Sequence, residues 1–179
     1  MFTPDLLKDQ TIVITGGGSG LGRAMAERFA SLGAAVGVIG RRPEPLLETV
    51  KAIRAARGRA ACATADVRDP ASVATAVDVI EAELGGLTGL VNNAAGNFLS
   101  ASEDLSPNAF DSVVRIVLHG TFHCTQEVGR RWIARGTGGT MLSIVTTYAW
   151  MGSSFVLPSA CAKAGVVAHK GSTAAAQRD

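Results

Sequence analysis

Short apolar runs alternate along the chain with longer stretches whose apolar positions recur every three or four residues, and the two periods predict strands and helices in turn. Thr11–Thr15 is the first run, and a helix is predicted from about Gly20 to Leu32, closed by Gly33. Ala35–Ile39 reads as a second strand. Pro45–Arg57 reads as a helix with Leu46, Val50 and Ile53 along one side and Gly58 as its stop. Ala60–Thr64 predicts a third strand, Ala71–Leu84 a helix carrying Val73, Val77 and Ile80, and Leu87–Asn92 a fourth strand. Ser106 is a good N-cap and Pro107 a good first helical residue, so a long helix is predicted from there to Ile133, with Phe110, Val113, Val114 and Val117 on its apolar face. Thr140–Val145 predicts strand five, followed by a loop and a helix from about Pro158. Strands alternating with helices throughout, with no internal repeat or low-complexity linker, predict the α/β class: one doubly wound parallel sheet with helices on both faces.

The candidate chemistry begins where the first strand ends. Thr15-Gly16-Gly17-Gly18-Ser19-Gly20-Leu21-Gly22 joins that strand to its helix, the order a dinucleotide diphosphate requires. Residues without a Cβ let the main chain turn with positive φ and approach the phosphates, whose charge is met by free N–H groups and the helix dipole. Asn92-Asn93-Ala94-Ala95-Gly96 then closes the fourth apolar run. At the end of the second strand, where an acid would accept hydrogen bonds from a ribose 2′-hydroxyl, the chain has Gly40-Arg41-Arg42. Cations there favour NADPH over NADH, with Glu44 close by as the one counter-indication.

Composition narrows the classes without choosing among them. The 179 residues, 47% hydrophobic and 18% charged, suffice for one domain with one good core, and a net charge of +2 gives no reason to expect nucleic acid or a membrane as partner. No apolar segment is long enough to span a bilayer, and Met1–Asp5 does not read as a signal peptide, so a cytoplasmic location is expected. Cys62, Cys124 and Cys161 are odd in number and widely spaced, and are read as small apolar fillers. His119 and His123, four apart on the long helix, are half a metal site at most; a structural or surface role is expected and no metal. Arg130, Arg131 and Arg135 around Trp132 suit the C-terminal end of that helix and its dipole, and are not read as a phosphate site.

The glycine turn and the Asn-Asn-Ala stretch together resemble the short-chain dehydrogenase/reductase family, whose pattern is TGxxxGxG followed by NNAG. This chain fits it with Thr15, Gly16, Gly20, Gly22, Asn92, Asn93 and Ala94, and with one extra residue, Ala95, before Gly96. The resemblance implies a Rossmann-like fold and a nicotinamide nucleotide held by Gly16, Gly18, Ser19, Gly20, Leu21, Gly22, Arg41, Asp66, Val67, Asn93, Ala94 and Lys163. Asp66 would lie near the adenine. Most members carry a tyrosine four residues before the active-site lysine, a place taken here by Ser159; the single tyrosine, Tyr148, stands fifteen positions before Lys163. That departure, with Gly96-Asn97-Phe98, Leu105–Ala109, Gly120-Thr121 and Pro158–Gly165, resembles the 2,4-dienoyl-CoA reductases from about residue 8 to about residue 168.

The likeness implies NADPH-dependent reduction of a 2,4-dienoyl-CoA thioester, an auxiliary step of fatty-acid β-oxidation. Tyr148 and Asn97 would donate hydrogen bonds to the thioester oxygen of a dienolate, Lys163 would hold the nicotinamide ribose, and Ser159 would support the substrate or Tyr148. Another carbonyl or enoyl reductase of the family, or a silent nucleotide-binding fragment, is the alternative. His119 occupies a place where the reductases usually carry Asn. A homo-oligomer through the long helix and the one after it is the family habit, but is doubtful here. From His169 to Asp179 the apolar period is lost. An incomplete domain over 1–168 is therefore expected, with the family's last strands missing and an atypical tail at 169–179.

Overall fold

A computed structural model describes residues 2–175. Five parallel strands, β1 (Thr11–Thr15), β2 (Ala35–Gly40), β3 (Arg59–Thr64), β4 (Gly89–Asn92) and β5 (Thr140–Ser143), form one sheet in the order β3-β2-β1-β4-β5. The register pairs Thr15 with Ile39 and Asn92 with Ser143, which brings the carboxyl ends of β1, β2, β4 and β5 to one edge. Every residue of β1 and β4 is buried, as expected of strands covered on both faces. Val13 and Leu90 point into one core with Val77, Ile80, Val128 and Trp132. Ile12, Ile14 and Val91 point into the other with Val38, Leu46 and Ile53.

The helices are α1 (Gly20–Ser31), α2 (Pro43–Ala55), α3 (Pro70–Leu84), α4 (Pro107–Val114), α5 (Gly120–Ala134) and α6 (Leu157–Ala175). Helix α1 closes as expected: Gly33, at φ 96°, donates to Ala30, and Ala34 donates to Phe29. Helix α2 begins two residues before the expected Pro45, because both prolines fall in the first turn, where the missing N–H is no loss. Its left-handed cap is Arg57, at φ 63°, and not Gly58. Gly58 is required for space instead, since a Cβ there would lie 2.7 Å from Ile53 Cγ2. Helix α3 starts one residue early because the Asp69 carboxylate caps Ala71 N–H at 3.0 Å.

The long helix expected from Ser106 to Ile133 is present, and Ser106 Oγ caps it by accepting from Ala109 N–H at 3.2 Å. Its middle, Arg115–His119, takes the wider π winding. A third apolar cluster, Val113 and Val117 with Ala162 and Val166, fastens the first part of this rod to α6. Helix α6 runs through the point where the apolar period fades, and positions 176–179 of the expected tail lie outside the described residues. No helix among the described residues is long and apolar enough to cross a membrane.

Cys124 fits the filler reading, its thiol pushed up to about 12 by burial, but Cys161 does not: it lies exposed on α6. Of the arginines around Trp132, Arg131 and Arg135 are engaged locally. Arg131 pairs with Asp78 at 2.7 Å and Glu81 at 3.0 Å, and Arg135 grips both oxygens of Glu81 at 2.6 and 2.5 Å. Glu81 also accepts from Leu87 N–H at 3.1 Å, so this one carboxylate joins α3, α5 and the approach to β4. The Arg135 hydrogen bonds, chiefly, hold its pKa down to about 2. A carboxylate depressed in the folded state stabilises it above the unfolded pKa and loses that contribution as pH falls toward the folded one. Glu81→Gln is therefore expected to cost about 2 kcal/mol at neutral pH, after allowance for screening at exposed Arg135, and the cost shrinks between about pH 4.5 and 2. Urea unfolding of both proteins across that range measures it, and a difference independent of pH would refute the assignment.

Candidate active site

At the carboxyl edge of the sheet a cavity of about 320 Å³ opens between the glycine turn, the end of β2 and the loop after β4. Gly16 turns at φ 69°. Gly22 lies beneath it, where a Cβ would fall 2.2 Å from Gly16 O, so the turn and the helix can approach this closely only without a side chain. Ser19 precedes α1 without capping it by its side chain, which leaves the first N–H groups of the helix open to an anion. Thr15, a residue whose role beyond the family pattern was not evident from the sequence, binds the turn to the Asn-Asn-Ala stretch. Its Oγ1 accepts from Asn93 N–H at 3.0 Å and Ala94 N–H at 2.9 Å, and Asn93 Nδ2 donates to Thr15 O at 2.9 Å.

Eight of the expected nucleotide residues line this cavity: Gly16, Gly18, Ser19, Arg41, Asp66, Val67, Asn93 and Ala94. Gly20, Leu21, Gly22 and Lys163 do not. Gly22 is buried under the turn, and Leu21 is 67% exposed, so its contribution is limited to a main-chain group in the first turn of α1. Arg42 and Ile116 also line the cavity, the latter from the π-wound turn. Ile116 could not have been found from the sequence, since a regular helix gives no sign of the wider turn. Asn92 is not among the residues lining the cavity, and its amide N–H donates to Thr125 Oγ1 at 3.0 Å. His123 Nδ1 lies 2.9 Å from Val67 O, and because a carbonyl only accepts, Nδ1 carries the proton. His119 is exposed.

The second group of expected residues gathers beyond β5. Tyr148 sits in a short 3-10 turn, Thr147–Ala149, and its Oη lies 3.0 Å from Ser159 Oγ in the first turn of α6. One turn on, Lys163 is buried and donates to Ile144 O, and burial holds its ammonium below the usual lysine range. Ile144 N–H in turn donates to Asn92 O at 2.9 Å, which ties this cluster to the strand leading into the nucleotide cavity. Asn97 stands apart from the other three. It is exposed, and its Oδ1 accepts from Phe98 N–H at 2.9 Å. Its loop is joined to the loop after Tyr148 by Ser100 N–H donating to Phe155 O at 3.1 Å.

A parallel sheet with an open-helix glycine turn, arginines at the end of β2 and a Tyr–Ser–Lys cluster past β5 defines a nucleotide-linked oxidoreductase architecture. A family profile for short chain dehydrogenases matches residues 10–177, and the chain belongs to that family. An uncharacterized oxidoreductase of Caenorhabditis elegans is 49% identical over 166 residues, 91% of this chain and 53% of that protein. A probable 2,4-dienoyl-CoA reductase of Bacillus subtilis is 43% identical over 161 residues, 90% of this chain and 63% of that protein. A short chain dehydrogenase from Bacillus anthracis superimposes with a TM-score of 0.87 at 43% identity, covering 91% of this chain and 68% of that one. An actinorhodin polyketide ketoreductase variant with NADPH superimposes with a TM-score of 0.85 at 31% identity, covering 89% of this chain and 62% of that one. The chain thus spans a little over half the length of these curated relatives.

Proposed function

We propose that this chain binds NADPH and reduces 2,4-dienoyl-CoA thioesters. The observation that carries the reading is the hydrogen bond between Tyr148 and Ser159, one helical turn before buried Lys163, which gives the tyrosine a hydroxyl partner despite its displacement from the usual spacing. The donor set of the cavity suits the dinucleotide: free helix N–H groups for a diphosphate, Arg41 and Arg42 for a 2′-phosphate, and Asp66 in the same lining for the adenine. Bound there, the reduced nicotinamide would supply a hydride to the far carbon of the conjugated diene.

The chain's own residues then have three tasks. Tyr148 and Asn97 donate hydrogen bonds to the thioester oxygen, on which negative charge grows as the dienolate forms. Lys163, whose ammonium here donates to Ile144 O, would hold the ribose of a bound nucleotide and lend its charge to the same region, while Ser159 fixes the orientation of Tyr148 by the bond already described. The proton that completes the reduction comes from water to substrate carbon. The reading implies an acyl-CoA substrate and a part in fatty-acid β-oxidation, in the cytoplasm.

A second reading, a nucleotide-binding unit without turnover, is supported by the exposure of Trp150, Met151 and Phe155 beside Tyr148 and by the half-exposed β5 at the sheet edge. One experiment separates them: titration with NADPH and NADH, followed by a 2,4-dienoyl-CoA with loss of NADPH absorbance as readout. Preferred NADPH binding with turnover is the expected result. Binding without turnover favours the second reading, and binding of neither nucleotide removes both.

A further inference from the structure

Arg41 and Asp66 line the same cavity with opposite charges, and Arg41 is near enough to lower the Asp66 pKa. They form no ion pair. The Asp66 carboxylate is instead taken by Arg68, two residues further on. Arg68 Nε lies 3.0 and 2.9 Å from the two oxygens, Nη2 lies 2.5 Å from Oδ2, and the Arg68 main-chain N–H adds a bond to Oδ1 at 3.0 Å. This fork-on-carboxylate geometry satisfies the acid in plane and fixes its direction. Among the described residues Arg41 enters no ion pair, and Glu44, in the first turn of α2, makes none with it.

We propose that Arg68 is a positioning residue that sets nucleotide specificity: by occupying both oxygens of Asp66 it keeps that carboxylate away from Arg41 and leaves the Arg41 guanidinium open to a nucleotide 2′-phosphate. A carboxylate released beside Arg41 would compete with the phosphate for the same fork and would repel the phosphate itself. NADH, which lacks that phosphate, feels only the change at Asp66 that both nucleotides share. The inference rests on the reading of Arg41 as the 2′-phosphate partner.

The test is calorimetric titration of NADPH and NADH into the wild-type chain, Arg68→Gln, Asp66→Asn and the double variant. Thermal melting serves as a check on folding, since Asp66 and Arg68 are both partly exposed. Arg68→Gln is expected to lower the preference for NADPH over NADH by about threefold to fivefold, the range of a partly exposed charge pair, because NADPH binding weakens more than NADH binding. In the Asp66→Asn background the same change leaves the preference where it was, because no carboxylate remains to capture Arg41. Arg68→Lys, which keeps a cation but not the paired donors, falls between. An unchanged preference in Arg68→Gln overturns the inference, as does an equal fall in both backgrounds, which would mean that Arg68 meets the nucleotide itself. Parallel weakening of both nucleotides overturns it too, as simple loosening of the cleft. A wild-type chain without any preference for NADPH overturns the reading of Arg41 first and the inference with it.

Discussion

Tyr148→Phe is expected to lower kcat/KM for a 2,4-dienoyl-CoA by about a hundredfold to a thousandfold, some 2.7 to 4 kcal/mol of transition-state stabilisation, while NADPH affinity stays as it was. The effect falls on turnover because the hydroxyl is asked to meet a charge that exists only once the hydride has moved. The nucleotide cavity is lined from other elements, so the ring's truncation by one oxygen does not reach it. The cost in folding is smaller: buried Ser159 loses its side-chain partner, worth about 1 kcal/mol. Single-turnover kinetics and a melting curve on the two proteins separate the terms. Turnover equal to wild type would exclude Tyr148 from the chemistry and move the whole task to Asn97.

Trp132→Ala carries the largest expected loss of stability, about 3 to 5 kcal/mol, equivalent to roughly 10 °C in melting temperature for a chain of this size. The indole is 2% exposed and donates from Nε1 to Leu87 O at 2.7 Å. The chain after α5 folds directly over it: Thr137 N–H donates to Trp132 O, and a Cβ on Gly139 would lie 2.3 Å from the ring. Removing the ring therefore opens a cavity and frees the turn that seats β5 against β4. Trp132→Phe keeps much of the volume and isolates the lost N–H, at about 1 to 2 kcal/mol. Chemical denaturation of the three proteins gives both numbers, and a loss below about 1 kcal/mol for the alanine variant would show that β5 is seated by other means.

The features that were legible in advance are those written locally. The strand periods, the glycine turn, the Ser106 cap and the arginines after β2 each depend on a few neighbouring residues, and each is found within one or two positions of its expected place. The features that were not legible depend on partners far along the chain or on competition between neighbours. Arg57 and not Gly58 takes the left-handed conformation, and Gly58 is needed instead for the space beside Ile53, a neighbour five positions back. The π winding that turns Ile116 toward the cavity has no local signature, and Arg68 next to Asp66 reads in one dimension as a surface charge. Asn97 is an expectation of the family resemblance, and in the structure its Oδ1 accepts from the following N–H, of Phe98, apart from the Tyr148–Ser159–Lys163 group.

The bonds from Thr15 to Asn93 and Ala94 span 78 and 79 positions, so the shape of the glycine turn is completed only when β4 has docked. A nucleotide that grips both sides of that seam binds the folded chain and has no comparable target on the unfolded one. Occupancy and foldedness are then thermodynamically linked, and at a hundred times its dissociation constant the nucleotide would add about 2.7 kcal/mol to the stability of the domain. The melting midpoint should rise with the logarithm of NADPH concentration, and for an open sheet edged by β3 and β5 the supply of reduced nucleotide would become a determinant of how much of the chain survives.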